Sequence, residues 1–222
     1  MTKAEKKRQI LEIEKRLGEL YPDAECALDY GGDGWRLLVM GRLSAQCTDK
    51  RVNEVSVPLF ERYPTPTDMA NADLGELEEI IKPCGLYKMK ARNLIDSSRM
   101  LIEQFSGVIP NDIDALCNLP GVGRKIANLL VGDLYGSPAI VCDTHFIRIM
   151  GRLGMYSERE KNPEKIERII REIFPAERGG DLCHRVVLFG REICGARNPL
   201  CDSCPLSDIC KSREVKKWKN TR

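Results

Sequence analysis

The chain has 222 residues, with 35 lysines and arginines against 33 aspartates and glutamates and a formal charge of +2. That balance excludes a polycation that holds nucleic acid through a basic tail, though not a local basic face. With 42% hydrophobic and 31% charged residues, the composition is globular rather than disordered, and the length suits one large domain or two small ones. No apolar run approaches the roughly 20 residues of a bilayer-spanning helix. Residues 1–20 mix six basic with four acidic side chains, unlike a secretory signal or an acid-poor presequence. The expectation is a cytoplasmic protein. Of ten cysteines, Cys26, Cys47, Cys84, Cys117, Cys142 and Cys183 stand singly, and four crowd into residues 194–210. A disulfide framework would be short and cysteine-dense throughout, so the pattern points to a reducing compartment and one metal site.

In chain order, Ile10, Ile13, Leu17 and Leu20 recur at helical spacing and predict an N-terminal amphipathic helix. Residues 37–47 are a candidate for a short apolar helix. Pro58, inside residues 52–62, predicts a break or kink there. Ala91, Leu94, Ile95, Ile102 and Phe105 mark one face of a longer helix ended by Gly107 and Pro110. Asn111 and Asp112 are placed to cap a short helix through residues 115–118. Residues 123–135 carry Ile126, Leu129, Leu130 and Leu134 on one side and stop at Gly136. Residues 139–141 are β-rich but brief, and 147–153 fit a helix. Asn162 before Pro163 reads as a cap with proline at the first helical position, opening a helix that holds Ile166, Ile169, Ile170 and Ile173. Leu182, Val186, Phe189 and Ile193 form a last amphipathic stretch. The expected class is all-α, in two lobes of helices.

Three motifs carry chemistry. Cys194, Cys201, Cys204 and Cys210 are spaced C-x6-C-x2-C-x5-C. Four thiolates so close in sequence suit either zinc or a [4Fe–4S] cluster; the wide first gap and lone last cysteine favour iron–sulfur. The second motif is Leu119-Pro120-Gly121-Val122-Gly123-Arg124-Lys125 between two helices. Such a turn is most often only a turn, but the helix start after its second glycine is also a seat for a phosphate, bound without reading base sequence. Lys125 falls in the first turn of that helix, at the positive end of its dipole, where an amine that is not protonated would be a nucleophile. Spacing alone favours a solvated phosphate contact. In the third, Val141-Cys142-Asp143-Thr144-His145, Asp143 is first a helix cap, and beside a cleft it is also a carboxylate that stabilises a developing cation. His145 and His184 read as structural.

Together these residues resemble the iron–sulfur type of the helix-hairpin-helix DNA glycosylase/AP lyase family. Leu43-Ser44-Ala45-Gln46 before Thr48-Asp49, and Gly85-Leu86-Tyr87, add to the three motifs above. The resemblance implies a six-helix lobe over residues 27–137 containing the helix-hairpin-helix. It also implies a [4Fe–4S] cluster lobe formed from 1–26 and 138–222, the two flanking a DNA-binding groove. It implies a base-excision repair enzyme that flips an oxidised pyrimidine out of duplex DNA, releases it, and nicks 3′ to the abasic site by β-elimination. Lys125 matches the family's Schiff-base nucleophile and Asp143 its carboxylate. Gln46 and Leu86 match side chains inserted where the base has left, and Gly121, Val122, Gly123 and Arg124 match the backbone-phosphate seat. The four cysteines match the cluster ligands. The implied partner is double-stranded DNA with a damaged pyrimidine or an abasic site, bound by a monomer, with no membrane. Lys125 also separates the chain from adenine glycosylases, which lack it and carry a further C-terminal domain; here twelve residues follow Cys210. The chain departs from the family in the loop between Cys194 and Cys201, commonly basic, where Arg197 is the one basic residue. Lys216, Lys217 and Lys219 are the expected compensation.

Overall fold

The structure is a computed structural model and describes residues 1–213; Lys216, Lys217 and Lys219 lie outside them. Among the described residues there are eleven α-helices, two short 3-10 turns and no strand, so the all-α expectation is borne out. None of these helices is long and apolar enough to cross a membrane. The β-rich residues 139–141 are irregular because they have no strand to pair with. Ala139 N donates instead to Ala176 O at 3.1 Å, and Val141 N to Cys183 Sγ at 3.2 Å. The chain forms two compact units, Cys26–Ser137 and Met1–Glu25 with Pro138–Arg222.

The continuous unit holds α2 (Gly34–Leu43), α3 (Asp49–Arg62), α4 (Pro66–Ala70), α5 (Leu74–Ile81), α6 (Tyr87–Phe105), α7 (Ile113–Cys117) and α8 (Arg124–Tyr135). Leu37, Leu38, Val39, Met40 and Leu43 are all buried, so α2 is covered on nearly every side and serves as the core helix, packed by α3, α6 and α8. Sequence periodicity gave no helix between residues 63 and 82, yet α4 and α5 are there. They are too short to show a period, and are started by a Thr65–Asp68 capping box and by Asp73. The expected break at Pro58 does not occur. Helix α3 runs through it, with Pro58 itself exposed and Val55, Leu59 and Phe60 buried around it. Core burial by its neighbours outweighs the one backbone bond that proline removes.

The discontinuous unit holds α1 (Lys3–Leu20), α9 (Thr144–Arg152), α10 (Pro163–Arg171) and α11 (Gly179–Glu192). Ile10, Ile13 and Leu17 are fully buried, whereas Leu20, expected on the same face, is exposed at the fraying end of α1. Helices α1 and α9 pack on α11. A side chain at Gly190 would collide with His145 and Arg148, so glycine sets how closely α9 and α11 approach. The buried Glu14 of α1 is ion-paired with Arg178.

Candidate functional site

In the continuous unit, the segment between α7 and α8 is a tight hairpin. Asp112 Oδ1 accepts from Ala115 N at 2.7 Å and opens α7. Val122 N closes the turn on Leu119 O at 3.0 Å, and both side chains are buried under it. Gly121 has φ 78°, a left-handed conformation. A Cβ there would collide with Arg42 and Asn93, so glycine is required twice over. Arg42 is buried beneath the turn, which lowers its pKa. With the Asn93 amide oxygen turned toward it, Oδ1 accepts from Arg42 Nη2 at 2.7 Å and Nε at 3.3 Å. Gly123, extended at φ −97° and ψ 172°, caps α8 with no side chain in front of the helix's first amides. Lys125, in the first turn of α8, is exposed. Gly121, Val122, Gly123, Arg124 and Lys125 thus share one rigid turn.

Gln46 and Leu86 lie on two other turns of this unit. Both are exposed and left-handed, at φ 55° and 49°, a conformation that costs an L-residue about 1–2 kcal/mol. Among the described residues the only other non-glycine at positive φ is Ser106, the C-cap of α6. Both turns are tied by Lys90, which sequence reasoning passed over. Its Nζ donates to Leu43 O at 2.7 Å and to Cys84 O at 2.9 Å.

In the discontinuous unit, Asp143 is the N-cap of α9, its Oδ1 accepting from Phe146 N at 2.7 Å. The same helix grips the first cysteine of the cluster loop. Arg148 donates to Cys194 O at 3.0 Å and Gly190 O at 3.2 Å. Arg152 donates to Cys194 Sγ at 3.3 Å, Gly195 O at 2.8 Å and Ala196 O at 2.9 Å. His145 Nδ1 lies 3.2 Å from Arg148 Nη2, in keeping with its structural reading. From the other side, α1 bridges the end of α9 and the loop, Gln9 Nε2 donating to Leu153 O (2.9 Å) and to Ile209 O (2.8 Å). Arg16 adds bonds to Pro205 O (3.0 Å) and Asp208 Oδ1 (2.7 Å).

Cys194, Cys201, Cys204 and Cys210 are half-buried in this loop, and none is in a disulfide. Burial raises the Cys204 and Cys210 thiols first, and the other cluster thiols raise them further. Four sulfurs that disfavour one another's charge need a cationic centre among them as thiolates. Four cysteines in one loop are an all-sulfur donor set, which suits a zinc ion or an iron–sulfur cluster.

Residues 39–176 match the HhH-GPD superfamily of base excision DNA repair proteins, and residues 194–210 match the iron–sulfur binding domain of endonuclease III. The endonuclease III of Bacillus subtilis is 41% identical over 196 residues, 88% of this chain and 89% of the relative. That of Synechocystis is 39% identical over 213 residues, 96% of each. A solved structure of a trapped endonuclease III–DNA covalent intermediate matches with a TM-score of 0.90 and 40% identity, over 98% of this chain and 99% of that one. The chain belongs to the HhH-GPD superfamily of base excision DNA repair proteins and, within it, to the endonuclease III family. Its cofactor is a [4Fe–4S] cluster.

Proposed function

We propose that Lys125 is the nucleophile of this base-excision repair enzyme, a DNA glycosylase with AP lyase activity. The substrate is double-stranded DNA with an oxidised pyrimidine or an abasic site. The Lys125 amine attacks C1′, the bond from C1′ to the base breaks and the base leaves with a proton given up by the amine; the C1′–O4′ bond then opens, O4′ is protonated, and the nitrogen remains on C1′ as an imine. Loss of a 2′ proton then breaks the bond from C3′ to oxygen and nicks the strand 3′ to the abasic site. Asp143 is the carboxylate that stabilises the oxocarbenium-like charge on the sugar and helps to deprotonate the amine. Gln46 and Leu86 enter the space that the base leaves. Gly121, Val122, Gly123 and Arg124 seat a backbone phosphate at the start of α8, where amides and helix dipole favour an anion.

Cys194, Cys201, Cys204 and Cys210 are the ligands of the cluster, which supplies a staple for a loop whose one fully buried apolar side chain is Leu206. Residues 27–137 act as the hairpin lobe, and 1–26 with 138–222 as the cluster lobe. The enzyme works as a monomer in the cytoplasm, with the DNA.

The observation that supports this reading best is the hairpin itself, in which Lys125 is the second residue of a glycine-capped helix that follows a turn braced by Arg42 and Asn93. Borohydride reduction on a duplex with one abasic site tests it. A covalent protein–DNA band is expected from the wild type, and none from Lys125→Ala, which still binds the duplex. A band of undiminished strength from Lys125→Ala would overturn the assignment of the nucleophile.

A further inference from the structure

Lys90 lies in the first turn of α6 and is fully buried. A buried ammonium is costly, and the positive end of a helix is its least favourable place. The groups that act on it electrostatically are the Cys84 and Cys47 thiols and the Arg42 guanidinium. Burial and the neighbouring Cys47 push the Cys84 thiol up to about 12, so it stays neutral beside the amine. A leucine or methionine would fill the same space at no such cost, so the donors themselves are what the site uses.

Those donors join two segments far apart in sequence. Leu43, at the end of α2, stands three residues before Gln46; Cys84, at the end of the 3-10 turn Lys82–Cys84, stands two before Leu86. Lys90 Nζ bonds both carbonyls, and Lys90 N donates to Leu86 O at 3.0 Å. The Cys47 and Cys84 thiols, one from each segment, lie close enough to act on each other electrostatically. Strained left-handed residues persist only where their surroundings over-determine them. Here a single side chain ties together the two segments that lead into them.

We infer that Lys90 is a positioning residue for base extrusion: it ties the Gln46 turn to the Leu86 turn so that the two side chains enter the duplex as one rigid wedge. The inference rests on the reading of Gln46 and Leu86 as the inserted residues. It predicts that the two do not act independently, and that neither turn keeps its shape when the amine is removed.

The test is a mutant cycle on the full-length, cluster-loaded protein. The probe is a duplex with a tetrahydrofuran abasic analogue and a neighbouring 2-aminopurine, whose fluorescence rises when it unstacks. Lys90→Met is expected to weaken lesion binding about tenfold and to remove the fluorescence rise, because two buried carbonyls lose their donor. In a Gln46→Ala/Leu86→Ala background, adding Lys90→Met is expected to change binding by less than about twofold. A merely structural lysine would weaken both backgrounds alike, and that result overturns the proposal. So does a normal fluorescence rise in Lys90→Met when Gln46→Ala/Leu86→Ala lacks it. If Gln46→Ala/Leu86→Ala itself binds and unstacks normally, the reading of the inserted residues falls, and this proposal with it. Cluster absorbance and thermal melting verify folding; if Lys90→Met does not accumulate, Lys90→Gln, which keeps a donor for one carbonyl, takes its place in the same cycle.

Discussion

Gly121 sets how much one atom matters in the hairpin. Alanine there must adopt φ 78° and push its Cβ into Arg42 and Asn93. The conformational strain alone is about 1–3 kcal/mol, and displacing the buried guanidinium adds to it. Gly121→Ala is expected to lower stability by about 2–4 kcal/mol in denaturant unfolding and to weaken duplex binding. Gly123→Ala, with open space around its Cβ and φ −97°, is expected to leave folding nearly unchanged. Equal destabilisation by the two substitutions would contradict this account of the turn. The glycines were legible in the sequence because only a tight turn wants two of them one residue apart. Arg42 and Lys90 were not. A long basic side chain on a helix reads as surface, and nothing local distinguishes one that reaches buried carbonyls.

At the scale of elements, the sequence was most legible where a cap and a period coincide. Asp143 and Asn162 start α9 and α10, and the left-handed Gly136 ends α8, as their types and positions predict. Helix α3 shows the limit of such punctuation. Proline by its type is a helix breaker, but the apolar spacing of Val52, Val55 and Leu59 decides the outcome, with all three buried. Pro58 then remains a local defect on an exposed face. Pro58→Ala restores a backbone donor inside the helix and is expected to stabilise the protein by about 1–3 kcal/mol, read from the denaturant midpoint at constant slope. A loss of stability would mean that the proline serves some contact outside α3.

At the scale of the whole molecule, the N-terminal helix α1 meets the cluster loop almost 200 residues further along the chain, Gln9 against Ile209 and Arg16 against Asp208. Periodicity, which reports on neighbours a few residues apart, says nothing of such closures; only the resemblance of the whole chain to a family implied that both termini build one lobe. The Arg16 guanidinium holds the Asp208 carboxyl below the ordinary carboxylate range. A carboxyl with a lowered folded pKa contributes stability above its unfolded value, here 3.8, and loses it as pH falls through the folded value. Asp208→Asn is therefore expected to melt slightly below the wild type near neutral pH, and the gap is expected to close as pH falls below 3.8. A gap that widens toward acid would refute the pairing. The discontinuity of this unit also bears on how the protein is made. As the chain leaves the ribosome, Cys26–Ser137 is complete and contiguous and can fold at once, whereas α1, synthesised first, must keep Ile10, Ile13 and Leu17 uncovered until α11 and the cluster loop emerge. Iron delivery therefore comes last, after Cys210 has been translated, and the oldest helix in the chain is among the last to find its place.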